Sequence, residues 1–567
     1  MKVVIIGGVA TGPKVAARLR RLSIDAEITV VEKGKIVSYG SCGLPLFLGN
    51  LVPKIEDLMK TSAGLIRDPQ YFEDTKGINV LTQTEALAID RQQKKVRVRN
   101  LATGEERDLD YDHLVLATGA KEVVPPIPGI QHQNVYTVHH LDDAVNIKAL
   151  IKEKKIQHAT IIGAGLIGIE VADAIAGPRL KVTLCESQGS VVPKLLDPDM
   201  ALLVEHKMRS RGIDLRLNCP VKELTGDEDG KVNGVILENE SITTGLVIVA
   251  VGVRPEVTLA RQAGLPLGIT GAIQVNQYMQ TGDTYIYAGG DCAEQVNMLS
   301  GRQVFVPLAS TANKQGRVIA DNIAGRASEF PAICATSVFQ AFELNVGRTG
   351  LGESEARELG YDVITSLSTG LDAVHYYPVH GAVTIKLIAE RASGRLLGAQ
   401  VCGTGEAIKR LDVLITILRF NGTVKDISNL DLSYAPPFAT AMDVLIHAAN
   451  TLENKQLGVV DTVSPFELLE RLKKGETIIF VDVREGDETK ANPVEGSQII
   501  VIPLGELRKR YTEIPQGSPV VTFCELGIRG YDAACFLKGV GFQDVSFLEG
   551  GMSTWGALQP ALNRFDC

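Results

Sequence analysis

The sequence predicts an α/β chain of several domains. Two stretches, residues 2–32 and 159–186, repeat one pattern of strand, glycine-rich turn, helix and second strand ending at an acid. A further α/β unit starts near residue 461. The 567 residues are enough for three or four domains, each with its own hydrophobic core. We therefore expect tandem nucleotide-binding folds of the Rossmann type, followed by smaller domains.

The composition is typical of a soluble enzyme. Hydrophobic residues make up 45% of the chain and charged residues 22%, and 56 residues are glycine. The net charge of -9 gives no general attraction to nucleic acid or to an anionic membrane. No apolar run approaches the roughly 20 residues that span a bilayer, and the chain begins with a strand instead of a signal peptide. We predict a cytoplasmic protein without nucleic-acid or membrane partners.

The nine cysteines are scattered along the chain. They form no C-x2-C pairs and lie in no histidine-rich stretch, which argues against structural zinc and against a disulfide framework. We predict a reducing compartment and no metal site.

The first glycine turn follows the strand Lys2–Ile6 and contains Gly7, Gly8 and Gly12. Glycines there let the backbone approach a pyrophosphate at a helix N-terminus, and Glu32 can accept hydrogen bonds from a ribose. The match is incomplete, because Val9 stands where the second glycine of G-x-G-x-x-G belongs. A tight structural turn is the alternative.

The second glycine turn matches G-x-G-x-x-G in full, with Gly163, Gly165 and Gly168. Glu170 lies on the following helix, and Glu186 ends the second strand. Each copy is followed by an apolar strand that runs into a turn of small residues, at Thr118 and Gly119 and at Gly252. Two tandem copies are far more specific for dinucleotide binding than a lone glycine motif.

Two such sites imply two different dinucleotides, and FAD with a nicotinamide is the natural pair for hydride transfer. A third strand-like segment, Thr284–Asp291, would bring the carboxylate of Asp291 beside the flavin, which makes the nicotinamide fold an insertion in the flavin fold.

The carboxylate of Glu186 would repel the 2′-phosphate of NADPH, and no arginine directly follows Glu186 to pair with that phosphate. We therefore expect NADH to be preferred over NADPH.

Cys42 lies in the turn Ser-Tyr-Gly-Ser-Cys-Gly-Leu-Pro soon after the first nucleotide-binding unit. A local disulfide partner is absent, since Val37 and Phe47 stand five positions before and after it. A redox-active Cys42 must cycle through a sulfenate, or through a mixed disulfide or persulfide with an external thiol. The alternative is a small packing residue.

Together, G-G-V-A-x-G, S-Y-x-x-C-G-L-P, A-T-G, G-x-G-x-x-G-x-E and Y-A-G-G-D resemble the pyridine nucleotide-disulfide oxidoreductases over residues 1–450. Within that family the chain looks like the single-cysteine branch of coenzyme A-disulfide reductases, NADH oxidases and NADH peroxidases. The histidine that assists peroxide chemistry is replaced by Ala10, which favours thiol substrates. The resemblance implies an α+β dimerisation domain and a homodimer, with Tyr376 and Tyr434 reaching the redox cysteine of the other subunit.

The same resemblance suggests a substrate site around Cys42. Arg18 and Arg21 would hold coenzyme A phosphates, and Ser38 and Ser41 would contact the substrate. An ordinary solvated helix face is the alternative for the arginines. Ser41 also departs from the asparagine that coenzyme A-disulfide reductases usually have before the cysteine.

The last unit resembles a rhodanese domain through D-V-R, C-x-x-G-x-R and L-E-G-G-M-S-T-W. A strand would deliver Cys524 into a loop that opens a helix, where backbone N–H groups and Arg529 stabilise a thiolate or a bound persulfide. An inactive rhodanese fold is the alternative.

The expected domains are an FAD-binding domain in two parts (1–119 and 251–325), an NAD-binding domain (120–250), a dimerisation domain (326–450) and a rhodanese-like domain (461–567). The expected reaction is NADH-dependent reduction of persulfide, polysulfide or coenzyme A-disulfide, with a rhodanese cysteine as sulfur carrier. Use of NADPH and permanently bound coenzyme A stay open. The alternatives are an NADH oxidase that cycles through a sulfenate, and a sulfur carrier or redox sensor without turnover.

Overall fold

The computed structural model describes residues 1–153, 156–494 and 498–556. The chain forms two compact units: the first contains Met1–Cys185 and Cys219–Ala335, and the second contains Glu186–Asn218 with residues from Thr336 onward. The expected domain end at residue 567 lies outside the described residues. In the described ranges, no helix has the length and apolar character that a bilayer crossing requires.

The first unit starts with eight strands and three helices, and β4, β5 and β6 form a three-stranded sheet of their own. Its elements up to residue 122 are β1 (Lys2–Ile6), α1 (Thr11–Leu22), β2 (Glu27–Val31), α2 (Leu44–Leu48), α3 (Pro69–Lys76), β3 (Asn79–Leu81), β4 (Thr84–Asp90), β5 (Lys95–Asn100), β6 (Glu106–Asp110), β7 (His113–Leu116) and β8 (Ala120–Glu122). Strand β1 is apolar and buried along most of its length, as expected for the centre of a parallel sheet with both faces covered.

The second glycine motif lies in the next group of elements: β9 (Val135–Tyr136), α4 (Leu141–Lys152), β10 (His158–Ile162), α5 (Leu166–Ile175) and β11 (Lys181–Cys185). The segment that follows belongs to the second unit and forms α6 (Pro198–Ser210) and β12 (Asp214–Arg216). The first unit then continues with β13 (Glu223–Gly226), β14 (Val232–Ile236), β15 (Ser241–Thr243), β16 (Leu246–Val249), β17 (Val253–Pro255), α7 (Thr258–Gln262), β18 (Ile286–Ala288), β19 (Gln295–Val296), β20 (Gln303–Val304) and α8 (Ala309–Ile323).

Two parallel sheets organise the first unit. The first has the order β18-β7-β1-β2-β3, and in the second β11, β10, β16 and β9 are successive neighbours. Strand β18 therefore returns to the sheet of the first glycine motif, as the sequence predicted for the Thr284–Asp291 segment. The second glycine motif lies in its own sheet.

An antiparallel sheet dominates the middle of the second unit, in the order β21-β22-β25-β24-β23. Its elements are β21 (Ser337–Ala341), β22 (Leu344–Gly350), α9 (Glu353–Glu358), β23 (Val363–Leu371), β24 (Ala382–Glu390), β25 (Leu396–Gly403), α10 (Ala407–Arg419), α11 (Val424–Ser428) and α12 (Val444–Gln456). This sheet with its helices is the α+β domain that the resemblance implied.

The last part of the second unit is a five-stranded parallel sheet in the order β26-β30-β29-β27-β28. Its elements are β26 (Asp461–Val463), α13 (Pro465–Lys473), β27 (Ile479–Asp482), α14 (Gly486–Ala491), β28 (Ile499–Val501), α15 (Leu504–Arg510), β29 (Val520–Phe523), α16 (Ile528–Gly539) and β30 (Val545–Leu548). Helix α13 begins directly after Ser464, whose hydroxyl accepts a hydrogen bond from the Glu467 N–H at 3.1 Å.

A buried lysine joins three parts of the second unit. The Lys386 ammonium on β24 lies 3.0 Å from Asp197, 2.9 Å from Asp199 and 2.8 Å from Glu353. Burial alone would lower the pKa of Lys386, but the carboxylates raise it above its ordinary value. The segment around α6 is thereby fixed to the antiparallel sheet.

Candidate functional site

The first glycine turn is built so tightly that only glycine fits. Gly7 has a φ of +112°, and a Cβ there would lie 2.0 Å from the Ala117 carbonyl oxygen. A Cβ at Gly12 would lie 1.9 Å from the Gly7 carbonyl oxygen. Beside this turn, Glu32 Oε2 accepts a hydrogen bond from the Gly8 N–H at 2.6 Å. The turn and the acid thus adjoin, as ribose and phosphate binding requires.

The segment after β18 approaches the same turn. A Cβ at Gly290 would lie 2.4 Å from Thr11 Oγ1, so Gly290 and Asp291 meet the start of α1. Gln315 on α8 is fully buried; its Oε1 accepts from the Gly290 N–H at 2.7 Å, and its Nε2 has no partner among the described residues. Burial raises the pKa of Asp291. Sequence reasoning missed Thr11 and Gln315, since only the fold brings them to this turn.

Cys42 lies in a short 3₁₀ turn, Ser41–Gly43, directly before α2. Of the cysteines that the structure describes, Cys42 is the exposed one, and the others are buried or half-buried. Its surroundings nevertheless remove enough water that burial raises the thiol pKa, and the charges of Glu170 and Asp291 raise it further. A hydrogen bond with Ser41 acts in the opposite direction.

Glu170 links Cys42 to the second glycine motif. It lies on α5, and α2, which follows Cys42, packs against that helix. Burial, with a contribution from Asp173, raises the pKa of Glu170 to about 7. Glu170 therefore changes its charge near neutral pH, within electrostatic reach of the thiol.

The second glycine turn repeats the tight packing of the first. Gly163 has a φ of +104°, and a Cβ at Gly168 would lie 2.0 Å from the Gly163 carbonyl oxygen. Gly165 stands immediately before α5. The N–H groups at the start of α5 form the kind of helix terminus that holds a pyrophosphate.

Glu186, the expected ribose ligand, follows the end of β11 directly. It is buried, and its Oε1 accepts from the Gln188 N–H at 2.8 Å and from the Ser187 hydroxyl at 3.1 Å. These bonds fix the orientation of the carboxylate.

The four residues predicted to contact the substrate differ in how accessible they are to a ligand. Arg18 pairs with Asp321, with Nη2 2.8 Å from Oδ1, so its guanidinium is largely committed within the protein. Arg21 and Ser41 are exposed, whereas Ser38 is buried with a φ of +52°. Arg21 is the better placed of the two arginines for a phosphate in solution.

Both predicted tyrosines are accessible. Tyr376 lies between β23 and β24 with 67% of its surface exposed, and Tyr434 lies between α11 and α12 with 52% exposed. Their hydroxyls can therefore meet a second chain or a ligand.

Cys524 sits at the end of β29, as its sequence pattern predicted. Its Sγ accepts from the Gly527 N–H at 3.2 Å, and Gly527 immediately precedes α16. A Cβ at Gly551 would lie 2.3 Å from the Cys524 carbonyl oxygen, which makes Gly551 a support of this loop.

The charged groups of the Cys524 loop are paired. Arg529 donates to both Glu488 oxygens at 2.6 Å, which lowers the pKa of Glu488 to about 2. Arg484 and Asp482, both buried, form a second pair at 2.7 Å. Sequence reasoning found Arg529 but missed its pairing with Glu488.

Glu549 anchors the same loop from the other side. It is 1% exposed, and its Oε1 accepts from Lys455 at 3.0 Å and from Thr462 at 2.7 Å. Its Oε2 accepts from the Leu367 N–H of β23 at 3.0 Å. Gly551, two positions later, supports Cys524.

Both glycine turns fit a bound dinucleotide. Gly119 and Gly252 have positive φ values, and a Cβ at either position would meet open space. The Gln315 Nε2 group, which has no partner among the described residues, offers a hydrogen-bond donor near the first glycine turn. These features suit FAD in the first turn and a nicotinamide nucleotide in the second.

Comparison with known proteins agrees with this geometry. Residues 1–316 match the pyridine nucleotide-disulphide oxidoreductase family, residues 335–445 match its dimerisation domain, and residues 464–558 match the rhodanese-like domain. The chain is 36% identical to a Pyrococcus furiosus protein named NAD(P)H sulfur oxidoreductase (CoA-dependent), over 80% of this chain and 99% of that one. It is 30% identical to a Staphylococcus epidermidis coenzyme A disulfide reductase, over 78% of this chain and 98% of that one.

A solved structure is similar over nearly the whole length. The NAD-dependent persulfide reductase from A. fulgidus is 41% identical, covers 98% of this chain with 100% of its own, and superimposes with a TM-score of 0.93. The chain therefore belongs to the pyridine nucleotide-disulphide oxidoreductases, as an enzyme that uses FAD and NAD(P)H and carries a C-terminal rhodanese-like domain.

Proposed function

We propose that this enzyme uses NADH to reduce persulfide, polysulfide or coenzyme A-disulfide at Cys42, with Cys524 as a sulfur carrier. The observation that carries the proposal is the exposure of Cys42, unique among the described cysteines, in a turn without a second cysteine. The names of the similar proteins, which refer to sulfur, persulfide and coenzyme A disulfide, support this substrate class.

Cys42 would act as the nucleophile. Its thiolate attacks one sulfur of the disulfide, a mixed disulfide forms between Cys42 and one substrate half, and the other half leaves as a thiolate. Two electrons and a proton then release the second thiol and restore the Cys42 thiolate. Bound FAD would supply those electrons from NADH.

The remaining predicted residues have holding roles. Gly7, Gly8, Gly12, Glu32, Thr118, Gly119 and Asp291 would bind FAD, and Gly163, Gly165, Gly168, Glu170, Glu186 and Gly252 would bind NADH. Arg21, Ser38 and Ser41 would contact coenzyme A, with Arg18 kept in its pair with Asp321. In a homodimer, Tyr376 and Tyr434 of the second chain would orient the leaving sulfur or give it a proton.

The domain division assigns one task to each part. FAD binding falls to residues 1–119 and 251–325, nicotinamide binding to 120–250, dimerisation to 326–450 and sulfur transfer to 461–567. Ala10, in place of the histidine of peroxidases, favours thiol substrates over oxygen or peroxide.

Anaerobic NADH consumption tests the proposal. The wild-type enzyme should oxidise NADH with polysulfide or coenzyme A disulfide, and more slowly with oxygen as the only acceptor. Cys42→Ser should still bleach its flavin with NADH but lose at least about 100-fold in turnover with sulfur acceptors, because the nucleophile is gone. Cys219→Ser, at a half-buried cysteine, is the control. If Cys42→Ser retains most of its turnover, or oxygen is the best acceptor, the proposal fails.

A further inference from the structure

The charged groups around Cys524 bear on which sulfur donors can approach that cysteine. Rhodanese chemistry with thiosulfate brings a dianion to the cysteine and releases sulfite, a second dianion. A loop made for such donors needs cations that are free to face the substrate. Each of the two arginines near Cys524 is already paired with a carboxylate of the protein.

Arg529 is occupied by an acid of α14. Both Arg529 Nη atoms lie 2.6 Å from the two carboxylate oxygens of Glu488, in the fork geometry that suits a guanidinium. The hydrogen bonds with Glu488 raise the pKa of Arg529, and the charge of Cys524 and a hydrogen bond with its side chain raise it further. An anionic donor would have to compete with this carboxylate for the guanidinium.

Arg484 is fully buried and donates to Asp482 through Nε and Nη2. Its Nη1 is buried and has no hydrogen-bond partner among the described residues; the Glu525 carboxylate lies 3.8 Å away. Glu525, the residue after Cys524, is held by its carbonyl, which accepts from the N–H and the hydroxyl of Ser553. Its side chain is 44% exposed, so its carboxylate is accessible to solvent beside Cys524.

These five groups leave an excess of negative charge. The two cations Arg484 and Arg529 face the three carboxylates of Asp482, Glu488 and Glu525. We propose that the Cys524 loop excludes dianionic donors such as thiosulfate and takes organic persulfides, with Glu525 as the residue that sets this preference. The inference rests on the proposed role of Cys524 as a sulfur carrier.

The step itself needs no additional oxidant. The Cys524 thiolate attacks the outer sulfur of R–S–SH, a bond forms between the two sulfurs, and the original S–S bond breaks. R–S⁻ leaves and takes up a proton from solvent, and Cys524 carries the persulfide. The outer sulfur and the leaving thiolate together carry at most one negative charge, whereas thiosulfate carries two.

The test compares two donors with cyanide as the acceptor and without NADH, so that flavin-dependent reduction at Cys42 does not contribute. The full-length enzyme is assayed with thiosulfate and with 2-hydroxyethyl persulfide, whose organic part is uncharged. Wild type should favour the persulfide. Glu525→Gln should raise kcat/KM for thiosulfate about ten-fold, and that for the persulfide much less, because the removed charge acts on a dianion. The thiosulfate gain should shrink as salt is added, since salt screens exposed charges.

The matched control is Glu506→Gln, an exposed acid of α15 that pairs with Arg510 in the same domain. This variant should leave kcat/KM unchanged for both donors. The inference is wrong if wild type uses thiosulfate as well as the persulfide. It is also wrong if Glu525→Gln changes kcat/KM equally for both donors, or for neither. Failure of the carrier role is a separate outcome: Cys524→Ser would then leave NADH-dependent sulfide release intact, whatever the donor preference in the cyanide assay.

Discussion

Glu549 accepts a hydrogen bond from the Leu367 N–H at 3.0 Å across 182 positions of sequence. Leu367 lies on β23 of the antiparallel sheet, and Glu549 follows β30 of the rhodanese-like part. A Cβ at the intervening Gly550 would lie 2.7 Å from Leu367 Cδ2, so the backbone itself packs on that sheet. The loop that holds Cys524 is therefore built against the neighbouring domain.

Glu549→Ala should destabilise this arrangement, because it leaves Lys455 and the Leu367 N–H without their acceptor. We expect the free energy of unfolding to fall by about 2 kcal/mol. Trp555 is the chain's single tryptophan and lies in the core beside Phe523, so its fluorescence during urea unfolding reports on this region. Sulfur transfer through Cys524 should slow more than coenzyme A-disulfide reduction.

Glu476→Ala, which breaks a surface pair with Arg471, is the control and should cost less than about 1 kcal/mol. Glu549→Gln, which keeps one acceptor oxygen, should be less damaging than Glu549→Ala. Equal unfolding curves for wild type and Glu549→Ala would contradict an anchoring role.

Glu170→Gln should make Cys42 easier to ionise. Glu170 acquires its charge as pH rises through about 7, and that charge raises the pKa of Cys42. Without it, the pH at which half of the Cys42 reacts with iodoacetamide should move down. Glu106→Gln, on exposed strand β6, should leave the midpoint where it is. A midpoint that moves up in Glu170→Gln would refute the electrostatic link.

Glu186→Gln should weaken the binding of NADH and should not weaken the binding of NADPH. Loss of the charged acceptor for the ribose hydroxyls should raise KM for NADH about ten-fold, while removal of the repulsion should lower KM for NADPH. The ratio of kcat/KM for the two nucleotides is the measurement. A wild-type enzyme that prefers NADPH would show that this ribose site has been misinterpreted.

Cys524→Ser should distinguish the role of Cys524 from that of Cys42. We expect it to spare reduction of coenzyme A disulfide, which reacts directly at Cys42, and to slow sulfide release from persulfides at least about ten-fold because they first load Cys524. Equal loss with both substrates would indicate damaged folding. No loss with either would mean that Cys524 serves a separate reaction.

Local sequence patterns predicted the elements that carry the site. The run of apolar residues before Gly7 predicted β1, and the run before Cys524 predicted β29, because a buried parallel strand needs apolar residues on both faces. The strand at Ile286–Ala288 could likewise be assigned to the flavin-type fold from its glycines and Asp291.

Partners that depend on distant contacts could not be predicted in this way. The spacing of Cys524 and Arg529 says nothing of Glu488, 41 positions before Arg529, and Arg18 resembled a phosphate ligand until the fold paired it with Asp321, 303 positions away. Gln315 carried no motif at all. Such pairings are set by how helices and loops pack, which no local period encodes.

The cluster around Lys386 bears on how the chain folds during synthesis. Asp199 emerges from the ribosome 187 residues before Lys386. At usual rates of translation, that interval is roughly 10 to 40 seconds. Throughout it, Asp199 lacks the Lys386 ammonium with which it pairs, and α6 lacks strand β25, against which it packs. Nascent chains paused before residue 386 should therefore expose α6 to chaperones and proteases, and release of the following strand should end that exposure.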